Sequence, residues 1–154
     1  TLKGNALKKA RTMHSHTDLP ALADDTGHEV DALDGRPGVH TARFAGPDAT
    51  DASNIAHLLN KLAGASTRDA QFRTVIAVVT PTITHCVEGI CRGTIAPTPR
   101  GERGFGYDPV FIPEGHSTTF AEMPANEKNT ISHRRRALES LQTVLDKEFD
   151  TFFG

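Results

Sequence analysis

The run Thr74 to Thr80, TVIAVVT, constrains the fold more than any other stretch of this chain. It is apolar on both faces, where a strand with one wet face would alternate apolar with polar side chains, so it reads as a central strand. His85 to Ile90 and Gly93 to Ala96 read as two further strands, with Gly89 and Gly93 as bends or bulges. Val110 to Ile112 is a short strand. Pro20 to Ala23 is another, ended by Asp24, Asp25, Thr26 and Gly27. Helical signals are interspersed. Leu2, Ala6, Ala10 and Met13 recur at helical spacing, so residues 1 to about 13 form an amphipathic helix, with Asn5 and Lys9 sharing one face. Gly4 lowers its propensity by roughly 1 kcal/mol relative to alanine. Thr50 or Asp51 reads as an N-cap before the stripe Ile55, Leu58, Leu59 and Leu62, and Gly64 as the stop. Asp34 to Gly38 and Gly46 to Asp48 are turns. Ser132 caps a last helix whose buried side is Ala137, Leu138, Leu141, Val144 and Leu145. Alternating helices and strands predict the α/β class.

At 154 residues the chain is expected to be one domain, long enough to bury a core. Its formal net charge of −2 argues against a dedicated duplex-DNA binder, which shows a basic surplus, and no nucleic-acid partner is expected. No apolar run is long enough to span a bilayer. Two cysteines, Cys86 and Cys91, are too few for a disulfide-stapled scaffold, and a reduced, cytoplasmic chain is the simpler expectation.

Three clusters carry candidate chemistry. Asp24-Asp25-Thr26-Gly27 leaves a strand, where open α/β sheets bind ligands. Paired carboxylates beside a hydroxyl suit Mg²⁺, which is usually held by one or two carboxylates, substrate phosphates and waters. Strand alternation sends the two acids to opposite sides, so one meets the metal and the other supports the loop or a water. A loop of Asx-turn hydrogen bonds explains the same residues. In Gly101 to Pro109, GERGFGYDP, glycines flank Phe105 and present its ring, which suits a stacked base. A tight turn with a buried phenylalanine is the simpler account of this motif taken alone, and the glycine spacing matches neither a P-loop nor a dinucleotide fingerprint. The third cluster is Lys128 with Ser132, His133 and Arg134. Its basic helix start points to an anionic or electron-rich ligand, or to a solvated basic face. His14-Ser15-His16 could bind a metal, though the helix end explains it as well, and His85-Cys86 with Cys91 has no regular zinc spacing.

LADDTG, GRPGVHTARFAG, GFGYDPVF and EKNTISHRRRAL occur in that order between Leu22 and Leu138. Together they resemble the inosine triphosphate pyrophosphatase family, the XTP/dITP diphosphatases, and the similarity runs from Thr1 to about Leu145. The resemblance implies an elongated mixed β-sheet flanked by helices, in two lobes with a central cleft, and a cytoplasmic homodimer. It implies hydrolysis of ITP, dITP and XTP to the monophosphate and pyrophosphate with Mg²⁺. Asp25 would be metal ligand and catalytic acid-base residue, and Asp24 its supporting acid and second ligand. Asn5 and Lys9 resemble an NAxxKA segment whose lysine reaches the triphosphate, and Thr26 a substrate contact. Phe105, Gly106, Tyr107 and Asp108 look like the base pocket, completed by Lys128, His133 and Arg134. A non-catalytic nucleotide-binding protein, or a pyrophosphatase of modified pyrimidine triphosphates, are the alternatives.

The family opens with a strand and a Thr/Ser-Gly-Asn-x-x-Lys phosphate loop, followed by an acidic metal ligand, and often has Glu where Gly4 stands. None of the opening precedes Thr1, so the expectation is an N-terminally truncated enzyme that is poorly active by itself.

Overall fold

A computed structural model describes residues 1–153. The elements are α1 (Leu2–Thr17), β1 (Ala21–Val30), β2 (Arg36–Gly38), α2 (Asp51–Lys61), β3 (Asp69–Val79), β4 (Thr84–Ile95), β5 (Phe111–Pro113), α3 (Ala125–Ile131) and α4 (His133–Phe153). One five-stranded sheet has the order β2-β1-β3-β4-β5. The class is therefore α/β, and the TVIAVVT run lies in the central strand. β1 pairs antiparallel with β2, His28 opposite Gly38, and β4 with β5, Thr94 opposite Ile112.

The chain folds as two compact units. The first comprises Thr1–Thr26, Arg73–Ile90 and His133–Gly154. Here β3 alternates its burial between two helices. Val75, Ala77 and Val79 pack with Leu2, Ala6 and Ala10 of α1, while Ile76 and Val78 pack with Ala137 and Leu141 of α4. That alternation is the two-residue period of a strand covered on both faces. Thr1 caps α1, its hydroxyl accepting the Gly4 N–H at 3.0 Å.

The second unit comprises Gly27–Phe72 and Cys91–Ser132. Its core joins Val30, Leu58, Phe72, Ile95, Tyr107, Val110, Phe111 and Phe120, among others. Thr50 and Ser53 form a reciprocal capping box at the start of α2, which settles the N-cap on Thr50.

Four expectations change. β1 does not end before the acids but runs through them to Val30. Aspartate has poor strand propensity, and tertiary partners override it. The two strands foreseen between His85 and Ala96 are one, β4, and its two glycines lie where neighbouring backbone comes close. A Cβ on Gly89 would lie 2.1 Å from the Ala137 nitrogen, and one on Gly93 2.2 Å from the Ile112 carbonyl oxygen. Those positions are kept bare because backbone passes directly over them. A short helix, α3, which the periodicity does not reveal, precedes the last helix; Ser132 between them is extended and stands directly before α4, as an N-cap does. Leu138 is 48% exposed and Met13 58%, so neither belongs to the buried face of its helix.

Candidate functional site

In the first unit β1 presents Asp24 and Asp25 on opposite faces, as alternation requires. Asp25 faces α1. Its Oδ1 accepts from Lys9 Nζ at 2.8 Å and its Oδ2 from Asn5 Nδ2 at 3.0 Å. Lys9 and Asn5 stand one helical turn apart, so one face of α1 delivers both donors. Lys9 Nζ also donates to the Asp24 carbonyl at 2.7 Å, tying the ammonium to the strand backbone. Asp24 faces the other way, and its Oδ2 accepts from Arg134 Nη2 of α4 at 2.9 Å. The hydroxyls of Thr26 and Thr74 lie 2.7 Å apart, joining β1 to β3.

Among the described residues, no three His, Cys, Asp or Glu side chains converge on a possible metal position. A divalent cation would therefore take few protein ligands. Asp25 fits that role, since each of its oxygens accepts one hydrogen bond and keeps a further lone pair. Asp24, turned to the opposite face, holds Arg134.

The second unit carries the aromatic turn. Phe105 is 69% exposed, whereas Tyr107 and Asp108 are buried. Gly104 and Gly106 adopt φ of 75° and 59°, left-handed values that favour glycine. Asp108 Oδ2 accepts the Phe105 N–H at 3.0 Å and also the Lys128 ammonium. Lys128 Nζ lies 4.9 Å from the centroid of the Phe105 ring, a cation–π geometry. Tyr107 points inward, where its hydroxyl donates to the Thr41 carbonyl at 2.8 Å and its ring lies 4.7 Å from that of His28. Burial, and secondly the charge of Asp51, push the Tyr107 hydroxyl well above the ordinary tyrosine range.

Of the predicted residues, Asn5, Lys9, Asp24, Asp25, Thr26, His133 and Arg134 fall in the first unit, and Phe105, Gly106, Tyr107, Asp108 and Lys128 in the second. Arg134 is joined to Asp24, and Lys128 to Asp108. One partner of the turn, Asp51 at the start of α2, escapes sequence reasoning. Asp51 Oδ2 accepts the Gly106 N–H at 2.7 Å. An acid in the first turn of a helix is explained locally by the helix dipole, so nothing in the spacing signals a partner elsewhere. A hollow of about 620 Å³ beside β3, β4 and β5, lined by Asp69, Gln71, Arg92, Glu114 and His116, contains none of the predicted residues.

A carboxylate steadied by an ammonium group suits phosphate and cation chemistry, and an exposed ring backed by a lysine suits a flat heterocycle. On an α/β scaffold these features define a nucleotide-handling protein. The chain belongs to the Ham1 family, whose profile matches residues 1–144. It is 52% identical over 146 residues to the dITP/XTP pyrophosphatase of Porphyromonas gingivalis, covering 94% of this chain and 75% of that protein. It is 48% identical over 157 residues to the dITP/XTP pyrophosphatase of Geobacillus kaustophilus, covering 100% and 75%. Its fold superposes on that of the Staphylococcus aureus Ham1 protein with a TM-score of 0.93 at 41% identity, covering 96% and 78%.

Proposed function

We propose that this chain hydrolyses deaminated purine nucleoside triphosphates, ITP, dITP and XTP, to the nucleoside monophosphate and pyrophosphate. Membership of the Ham1 family and the names of relatives near 50% identity support that reading. The observation that carries it to residues is the Asp25 carboxylate fixed between Lys9 and Asn5. Magnesium is the cofactor in this reading, the cytoplasm the compartment, and a homodimer the assembly.

Asp25 would hold the cation, which neutralises charge on the phosphates and makes water more acidic when bound. Asp25 also orients the attacking water and takes its proton as the water oxygen bonds to the α-phosphorus. The bond from that phosphorus to the bridging oxygen breaks, and pyrophosphate leaves. Lys9 offsets the negative charge that moves onto it. Thr26 and Asn5 contribute polar contacts from the same unit. Arg134 keeps Asp24 neutralised beside the working acid, so two neighbouring carboxylates coexist without mutual repulsion.

The base is taken by the Phe105 turn. Stacking supplies affinity without distinguishing purines. Lys128 keeps donor capacity beyond its bond to Asp108, and a 6-oxo group accepts where a 6-amino group cannot. One unpaired buried donor costs roughly 1–3 kcal/mol, so rejection of adenine by about 10⁴ needs more than one.

The decisive experiment is pyrophosphate release from ITP with magnesium, run beside ATP, dGTP and a modified pyrimidine triphosphate. Asp25→Asn is expected to lose at least a hundredfold in kcat with unchanged thermal stability. An unaltered kcat would remove Asp25 from the chemistry. Faster turnover of the pyrimidine substrate would assign the chain to the alternative pyrophosphatase activity.

A further inference from the structure

We infer that Asp51 is a positioning residue for base recognition, holding the Phe105–Tyr107 turn from a helix that lies 55 residues away in the sequence. The inference rests on the reading that this turn receives the base. The turn has two glycines at positive φ, Gly104 and Gly106, on either side of Phe105. Glycine loses more conformational freedom on ordering than any other residue, so such a turn does not hold its own shape. Its shape is imposed from outside. Two successive amides, those of Phe105 and Gly106, each donate to a different carboxylate: Asp108 at 3.0 Å and Asp51 at 2.7 Å. The two peptide units that flank the Phe105 Cα are thereby both held. The result is a large ring kept 69% exposed, where an unconstrained phenylalanine would fold back onto apolar surface.

The two carboxylates are not equivalent. Asp108 is buried and is committed to Lys128 as well. Asp51 is exposed, and it meets the turn through the hydrogen bond from Gly106 and through its charge beside Tyr107. It is placed there by α2, whose N-terminus is fixed independently by the Thr50–Ser53 capping box. α2 in turn packs Ile55 and Leu58 into the core that holds Tyr107. The helix therefore transmits a fixed position to the turn through one charge-assisted hydrogen bond, a type stronger than a neutral one. Loss of it frees Gly106 without opening the core.

The test uses two probes: inosine monophosphate, which carries the base and has no phosphoanhydride bond, and inorganic triphosphate, which carries no base. Binding of each is measured calorimetrically for the unaltered chain and for Asp51→Ala, Asp51→Asn and Phe105→Ala. Asp51→Ala is expected to weaken inosine monophosphate roughly tenfold and leave inorganic triphosphate unchanged. Asp51→Asn, whose side-chain carbonyl still accepts the Gly106 N–H, restores binding to within about threefold. Asp51→Ala also moves the tyrosinate titration of Tyr107 to lower pH. If Phe105→Ala weakens inosine monophosphate and Asp51→Ala does not, the positioning role is overturned while the base site stands. If Phe105→Ala has no effect, the base-site reading itself fails. Equal weakening of both probes by Asp51→Ala, with lower thermal stability, makes Asp51 merely structural and overturns the inference.

Discussion

Tyr107 is the chain's single tyrosine, and there is no tryptophan, so its ionisation is read by tyrosinate absorbance without interference. Folding raises the pKa of its hydroxyl above the unfolded value of 10.0, first through burial and then through Asp51. The folded state thus favours the neutral phenol. Its contribution to stability is complete below about pH 10 and declines as pH rises through the higher folded pKa. Thermal denaturation is expected to show a falling Tm above about pH 10, and Tyr107→Phe to flatten that fall. An equal fall in the variant would place the alkaline sensitivity elsewhere. Lys128 offers a second test. Its partner Asp108 has a side chain only 4% exposed, so Lys128→Met leaves an ionised carboxylate with no cation beside it. A loss of about 3–5 kcal/mol in urea denaturation is expected. A near-neutral result would mean that the Phe105 amide alone satisfies Asp108.

At the level of elements, Gly89 marks where α4 crosses β4. A methyl there would lie 2.2 Å from the His133 carbonyl oxygen as well as against Ala137. Gly89→Ala is therefore expected to destabilise by about 1–3 kcal/mol and to lower kcat, because α4 also carries Arg134. Urea denaturation and a steady-state assay read the two effects. Normal stability would show that the helix moves aside without penalty. The same crossing shows what could be foreseen from residues alone. The central strand was legible because apolar side chains on both faces have one explanation, and α1 and α2 because their stripes are long. Gly89 was legible as a special position, but nothing in the strand's own residues points to the helix backbone that covers it. β1 was cut short because charge masks strand character, and its partners, Lys9 and Arg134, come from helices at opposite ends of the chain. α3, Ala125–Ile131, is too short to establish a period. The acid cluster was visible through its neighbours in sequence; the link from Asp51 to Gly106 has no such neighbour.

For the molecule as a whole, β1, β3 and β4 each pass from one compact unit into the other, and the chain crosses again between Ser132 and His133. Neither unit is a contiguous piece. Unfolding is therefore expected to be a single transition, with far-ultraviolet circular dichroism and Tyr107 fluorescence coinciding. Separate midpoints would show that the units melt independently. Among the described residues no helix is long and apolar enough to cross a membrane. Chelation of divalent cations is expected to stop pyrophosphate release, and magnesium to restore it.

The opposed orientation of Asp24 and Asp25 makes the pairing register of β1 a determinant of chemistry and not only of packing. A slip of one residue would turn each acid to the opposite face, moving one of them into the other's place and the other a step along the strand from any partner, with every atom still present and the backbone ladder still closed. Deletion of a single residue upstream within β1 should therefore silence the protein more thoroughly than many substitutions, because it delivers the right functional group to the wrong side of the sheet.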